Sequence, residues 1–295
     1  MSKNYDVAAY IWPAYTGDEE RTRMFWGEGI GEWQSVKNSA PKENGYFWNR
    51  KPLWGYQNEA DPEVMKFQID EATKHGVNVF IYDWYWYDNR PFLENCLNDG
   101  FLKAENKDKM KFYLMWANHH ANNYWNINLS DDYGENVIWN GAVDRKGFET
   151  IANRVIDKYF HEPNYYKIDG CPVFMIYEVN NLIKGLGGVE ETKKAIAWFR
   201  EQTKAAGFPD LHLQFTVISE KSVNLSGFDP DLSGTTKDMV SLLAPDSITH
   251  YQFMHFANID KDYLEILEDA QKEWDRIDRD YTVPYFPHVS CGWDN

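Results

Sequence analysis

The sequence predicts an α/β chain of the (β/α)8 TIM-barrel type. Three observations carry that prediction. Seven short apolar runs are rich in β-formers, helical patterns separate them, and almost every run ends in polar or aromatic residues. Strands that alternate with helices need crossovers, and so a parallel sheet. No G-x-G-x-x-G joins the first run to its helix, and no G-x-x-x-x-G-K-[ST] occurs, which counts against the nucleotide-binding folds.

The runs, in order, are VAAYIW (7–12), VNVFIYDW (77–84), MKFYLMW (110–116), PVFMIYE (172–178), LHLQFTVI (211–218), ITHYQFM (248–254) and TVPYFPHV (282–289). After the first, Asp61-Pro62 reads as an N-cap with proline at the first helical position, and Gly76 as the stop. Phe148, Ile151, Ala152 and Val155 recur at helical spacing before the fourth run. Residues 189–206 form a helix closed by Gly207, and Leu264, Leu267, Ala270 and Trp274 mark another. The fold needs eight strands, and the chain reaches GWDN just past the seventh. The expectation is therefore a single domain over residues 1–295 with its eighth β/α unit missing, and open edges on the first and seventh strands that invite self-association.

Composition narrows the partners. With 43% hydrophobic residues the chain can bury a core. A net charge of −16, from 46 acids against 30 bases, disfavours nucleic acid and anionic membranes, which need a basic face. No apolar run is long enough to span a membrane. The N-terminus MSKNYDVAAY has no export-signal pattern, which reads as cytoplasmic for the chain as written and leaves the native compartment open. Three scattered cysteines give neither a disulfide framework nor a zinc site. The pair His119-His120 lacks metal-ligand spacing, and H-E-x-x-H and G-x-S-x-G are absent, so no metal and no cofactor are expected. The 13 Trp, 19 Tyr and 17 Phe fit either a core or a surface for sugar rings, since Trp and Tyr pair a flat apolar face with a polar edge.

Strand alternation makes the site explicit. In the second run Val77, Val79, Ile81 and Asp83 share one face, and Phe80, Tyr82 and Trp84 the other. The bulkier set suits the sheet-to-helix interface, so Asp83 points into the barrel mouth. The bland alternative is that Asp83 caps a helix or pairs with Arg90, and that Glu178 is a plain loop acid. Trp12 ends the first run, Asn118 and His119 follow the third, Glu178 ends the fourth, Tyr251 and His255 lie near the end of the sixth, and Trp293 and Asp294 follow the seventh. The long loops 13–61 and 117–145 carry Trp26, Glu28, Glu32, Trp33, Trp48, Trp54, Tyr124, Trp125 and Trp139, as binding loops do.

These segments resemble the WbsX-type, glycoside hydrolase family 99-like proteins. The resemblance rests on AAYIWPAY, FWGEGIGEWQSVKNSAP, DPEVMKFQIDEATKHGVNVFIYDWYWY, FYLMWANHH, DSITHYQFMHF and VPYFPHVSCGWDN, in the family's order and across essentially the whole chain. It implies a (β/α)8 barrel acting on glycans: a glycosidase, with a mannan-like substrate in view, or a glycosyltransferase of surface-polysaccharide synthesis. The family's acidic Asn-Glu-Trp-x-Glu-Gly motif is absent here, since GEW at 31–33 lacks the second Glu. A non-catalytic glycan-binding barrel is therefore a third reading. If the chain acts alone, Asp83 and Glu178 are the candidate carboxylate pair. The candidate sugar-binding residues are Tyr10, Trp12, Glu32, Trp33, Trp84, Tyr85, Trp116, Asn118, His119, Tyr177, Tyr251, His255, Trp293 and Asp294.

Overall fold

The computed structural model describes residues 5–17, 19–39, 51–122, 125, 137–218, 222–225 and 233–291. These fall into two compact units: residues 1–115, 120–141 and 162–166 in one, and residues 116–119, 142–161 and 167–295 in the other.

The first unit opens with β1 (Ala8–Ile11). The following loop holds two short helices, α1 (Thr22–Trp26) and α2 (Trp33–Asn38), before α3 (Pro62–Lys74). Asp61 caps α3 by accepting the Glu63 N–H at 2.9 Å, and Pro62 takes the first helical position, where an N–H would have no partner in any case. β2 (Val79–Tyr87) runs parallel to β1, in the register Tyr10↔Ile81 and Ile11↔Tyr82. It continues past Trp84, where the sequence reading ends it. Asp88 and Asn89, at φ 54° and 58°, form a two-residue left-handed turn, and β3 (Arg90–Phe92) returns antiparallel to pair Tyr85↔Phe92. β4 (Lys111–Trp116) neighbours β2, and β5 (Ala121–Asn122) with β6 (Val137–Trp139) forms a small ribbon.

Alternation sorts the two faces as expected. Phe80 and Tyr82 pack on Phe101 at 5.9 and 5.6 Å, and Phe112 of β4 joins them at 6.3 Å from Tyr82. Complete burial of one such ring contributes roughly 1.5–3 kcal/mol, so this layer is what holds the sheet to its helical cover. Ile81, Asp83, Tyr85 and Tyr87 take the opposite face, together with Tyr10 by register.

The second unit begins with α4 (Arg145–Val155), capped by Asp144 and continued by a π-helical turn over Ile156–Phe160. The strand β7 (Lys167–Ile168) pairs antiparallel with β8 (Cys171–Ile176). Then come α5 (Val179–Leu186), α6 (Val189–Ala205) and β9 (His212–Thr216). A ribbon of β10 (Ser222–Asn224) and β11 (Ser233–Thr235) leads into α7 (Thr236–Leu243). The unit ends with β12 (Ser247–Thr249), α8 (Tyr263–Asp280) and β13 (Tyr285–Phe286). The strands β8, β9, β12 and β13 pair in parallel in that order. Each of the seven runs thus contains a strand, but the sixth and seventh strands are only three and two residues long. In α8 the buried stripe is Ile266, Ala270 and Ile277, with Leu267 and Trp274 packed beside it. Leu264 is 71% exposed, which corrects the face expected from its spacing.

Candidate functional site

The GEGIGEW segment explains how an acid reaches the end of β1. Gly31 sits at φ 50°, and a Cβ there would lie 1.9 Å from the Ala14 carbonyl oxygen, so only glycine lets the two stretches touch. The contact is fastened by the Glu32 N–H donating to Ala14 O at 3.0 Å. Glu32 then accepts a hydrogen bond from the Trp12 indole Nε1. Burial pushes the Glu32 carboxyl up from its ordinary range, and the Trp12 hydrogen bond only partly opposes that. Next to it, Trp33 stacks on Tyr15 at 4.0 Å and donates to the Gln57 carbonyl at 2.7 Å. A second buried carboxyl, Glu59, is pushed up to about 7 by burial. It accepts from Gln68 at 3.0 Å and from the Cys96 thiol at 3.7 Å. Burial, with the charges of Glu32 and Glu59, also raises the Tyr15 hydroxyl.

On the Trp12 side of β2, Asp83 is 2% exposed and Tyr85 meets Trp12 edge-on at 5.7 Å. Trp125 closes over these rings, with centroids 5.7 Å from Trp12, 5.5 Å from Tyr85 and 5.9 Å from Phe92. Arg21 ties the loop to the hairpin. Its guanidinium donates to the Tyr87 and Pro91 carbonyls and lies 5.0 Å over Phe92, while Glu19 accepts from Arg21 and from the Leu93 N–H. Burial lowers the Arg21 pKa below its ordinary value, and Glu19 opposes this.

In the second unit the ends of β8 and β12 meet. Tyr177 lies edge-on to Tyr251 at 5.1 Å and to His119 at 5.8 Å, and His255 is 6.4 Å from both tyrosines. Glu178 is the N-cap of α5: its Oε1 accepts the Asn180 N–H at 3.1 Å. Asn118 grips the backbone of Glu178 with both ends of its amide, donating to the carbonyl at 2.8 Å and accepting the N–H at 2.7 Å. Asn118 thus acts on the main chain rather than presenting its amide to a ligand.

The structure therefore gathers Trp12, Glu32, Trp33 and Tyr85 in one unit, and Asn118, His119, Tyr177, Glu178, Tyr251 and His255 in the other. Tyr10 is half-buried on the Asp83 face of the first unit. Two expected sugar platforms are core residues. Trp84 is 2% exposed, donates to Glu94 at 2.8 Å and stacks on Trp86. Trp116 is 0% exposed and faces Phe148 of α4. Both occupy the helix-facing phase of their strands, so neither offers a ring face to a ligand in this structure. Trp293 and Asp294 lie outside the described residues, as do Trp48 and Tyr124. Among the described residues no group of three or more His, Cys, Asp or Glu could hold a metal, and no helix is long and apolar enough to cross a membrane.

The sequence reading missed Glu59 and Arg21 and did not foresee the cluster of buried His250 with half-buried Glu273 and Tyr285. His250 Nδ1 lies 2.7 Å from the Tyr285 hydroxyl, and Nε2 lies 3.2 Å from Glu273. Glu273 also takes two Arg276 hydrogen bonds at 2.7 Å, and these partners overcome its burial and hold its pKa down near about 2. The only signal available was the spacing Glu273-x-x-Arg276, which is a helical ion-pair spacing.

The family profile described as glycosyltransferase WbsX matches residues 7–295. The chain belongs to the WbsX family. Within reach of this WbsX chain is the protein WxcX of Xanthomonas campestris pathovar campestris, in strains ATCC 33913 and B100. Each is 26% identical over 276 residues, which cover 92% of this chain. The chain spans only 36% of the length of those curated relatives. Among solved structures, a glycoside hydrolase-like protein superposes with a TM-score of 0.54 at 17% identity, covering 97% of this chain and 71% of that one. The family 99 endo-α-mannosidase of Bacteroides thetaiotaomicron gives 0.49 at 15% identity, over 96% and 69% of the two chains. The WbsX chain therefore shares an α/β fold with a glycoside hydrolase-like protein.

Proposed function

We propose that this WbsX chain processes a glycan at the C-terminal ends of its parallel strands, within a fold of the (β/α)8 kind. The observation that carries this is the half-buried pair of Trp12 and Glu32 at the end of β1, joined through the Trp12 indole, with the buried Asp83 and Tyr85 behind them. Aromatic faces beside carboxyls are the chemistry that sugar rings and their hydroxyls require. Glycosidic-bond cleavage needs a group that keeps its proton until the leaving oxygen takes it, and burial raises Glu32 in that direction. Asp83 adds a buried carboxyl on the same face of β2. Within the second unit, Tyr177, Tyr251 and His255 make an aromatic cluster of its own, next to Glu178 at the end of β8.

The family's description as a glycosyltransferase favours a second reading, transfer of a sugar from an activated donor. Product analysis separates the two. Purified protein is incubated with polysaccharide alone, then with nucleotide-sugar and acceptor. New reducing ends in the first incubation support hydrolysis. Nucleotide release that depends on acceptor in the second supports transfer. Either activity should fall at least 100-fold in Glu32→Gln and Asp83→Asn. Wild-type activity that survives both substitutions would refute this site.

A further inference from the structure

A second surface in the first unit stands apart from Trp12 and Asp83. Beside the first turn of α3 lies a groove of about 550 Å³, lined by Trp54, Gln57, Asp61, Glu63, Phe67 and Gln68, among others. Its two aromatic walls are open to solvent: Trp54 is 46% exposed and Phe67 42%, with their rings edge-to-face at 4.6 Å. Exposed rings gathered in a groove with amide and carboxyl groups differ from scattered surface hydrophobics, which carry no meaning. We propose that this groove is a subsite for an uncharged stretch of the glycan chain, extending the site around Trp12 and Glu32. The proposal rests on the glycan reading above.

Three observations select that occupant. First, among the described residues the groove's lining holds two acids, two amides and no lysine or arginine. An anionic sugar would meet repulsion there, whereas neutral hydroxyls find donors and acceptors. Second, an exposed Trp–Phe pair offers the flat apolar surface that a pyranose face covers. Third, the segment that lines the groove is tethered to the candidate site by hydrogen bonds and a ring contact. Glu32 accepts from Trp12, the adjoining Trp33 donates to the Gln57 carbonyl at 2.7 Å, and the Gln57 amide donates to the Trp54 carbonyl. Tyr56 lies edge-on to Trp33 at 5.5 Å on the same path.

The test is binding to an array of purified neutral and anionic polysaccharides by wild type, Trp54→Ala, Phe67→Ser and, as a control on α8, Leu264→Ser. All three positions are exposed, and thermal melts check that each variant folds. The expected result is wild-type binding to neutral polymers that weakens at least tenfold in Trp54→Ala and Phe67→Ser and is kept in Leu264→Ser. Neutral binding unchanged in Trp54→Ala would overturn the subsite while leaving the glycan reading intact. Binding confined to anionic polymers would overturn the uncharged occupant. No glycan binding by wild type would overturn both readings together. Sedimentation at two concentrations covers the other occupant: self-association lost in Trp54→Ala would assign the groove to a second copy of the chain.

Discussion

At the scale of single residues, two carboxyls are shifted in opposite directions, and their pH signatures differ. Glu59 is raised from 4.5 to about 7 because burial penalises its charged form. A raised acid favours folding fully below its unfolded pKa, and that contribution is lost as pH climbs through 7. Glu59→Gln should therefore gain stability relative to wild type between pH 4.5 and 7, reaching about 3 kcal/mol by pH 8. Urea melts across that range measure it; a gap that does not change with pH would contradict the account. Glu273 runs the other way, depressed from 4.5 to about 2. Its contribution is present above pH 4.5 and fades as pH falls through 2. Glu273→Gln should cost about 1–2 kcal/mol at pH 7 once solvent screening is allowed for, and the same melts should show the cost vanishing in acid. Neither shift is fully legible in sequence: Glu59 is raised by a burial that only the fold creates, against the hydrogen bonds from Gln68 and Cys96, and Glu273 is lowered by the local Arg276 together with His250, which the fold brings to it.

At the scale of elements, the loop between β1 and α3 is a built structure that delivers Glu32. The glycine at 31 is its pivot. Gly31→Ala places a Cβ 1.9 Å from the Ala14 oxygen at a φ of 50°, so the loop must shift. The expected cost is about 1–3 kcal/mol in a denaturant melt, together with loss of the Trp12–Glu32 contact. A variant with wild-type stability and activity would show that the loop has another way to seat Glu32. Much at this scale was readable. Asp61-Pro62 started α3 as expected, and Gly207 followed α6. The hairpin was not read, although Asp and Asn, as at Asp88-Asn89, are the non-glycine residues that best tolerate a left-handed turn. The aromatic run on either side of it has no polar alternation, because β2 is buried on both faces. Trp116 looked like a platform because the phase of its strand was not assigned from sequence, whereas alternation already put Trp84 on the helix-facing side, where the structure buries it.

At the scale of the whole molecule, the order of elements was legible because crossovers between parallel strands impose alternation. The short strands β12 and β13 were overextended, because the residues after them are apolar but coil away. Among the described residues β1 has one strand neighbour, β2, and β13 has one, β12. Unpaired strand edges favour pairing between chains. We expect the sedimentation coefficient of this chain to rise with concentration, and a concentration-independent monomer would show that these edges are covered.

The central claim, that glycan binds at the strand ends around Trp12, Glu32 and Asp83, is tested most directly by hydrogen exchange. Exchange is followed by mass spectrometry with and without a neutral polysaccharide that the chain binds. The account predicts slower exchange in residues 12–17, 27–34 and 88–93 when glycan is bound. Protection confined to α6 or α8, with those three segments unchanged, would contradict it.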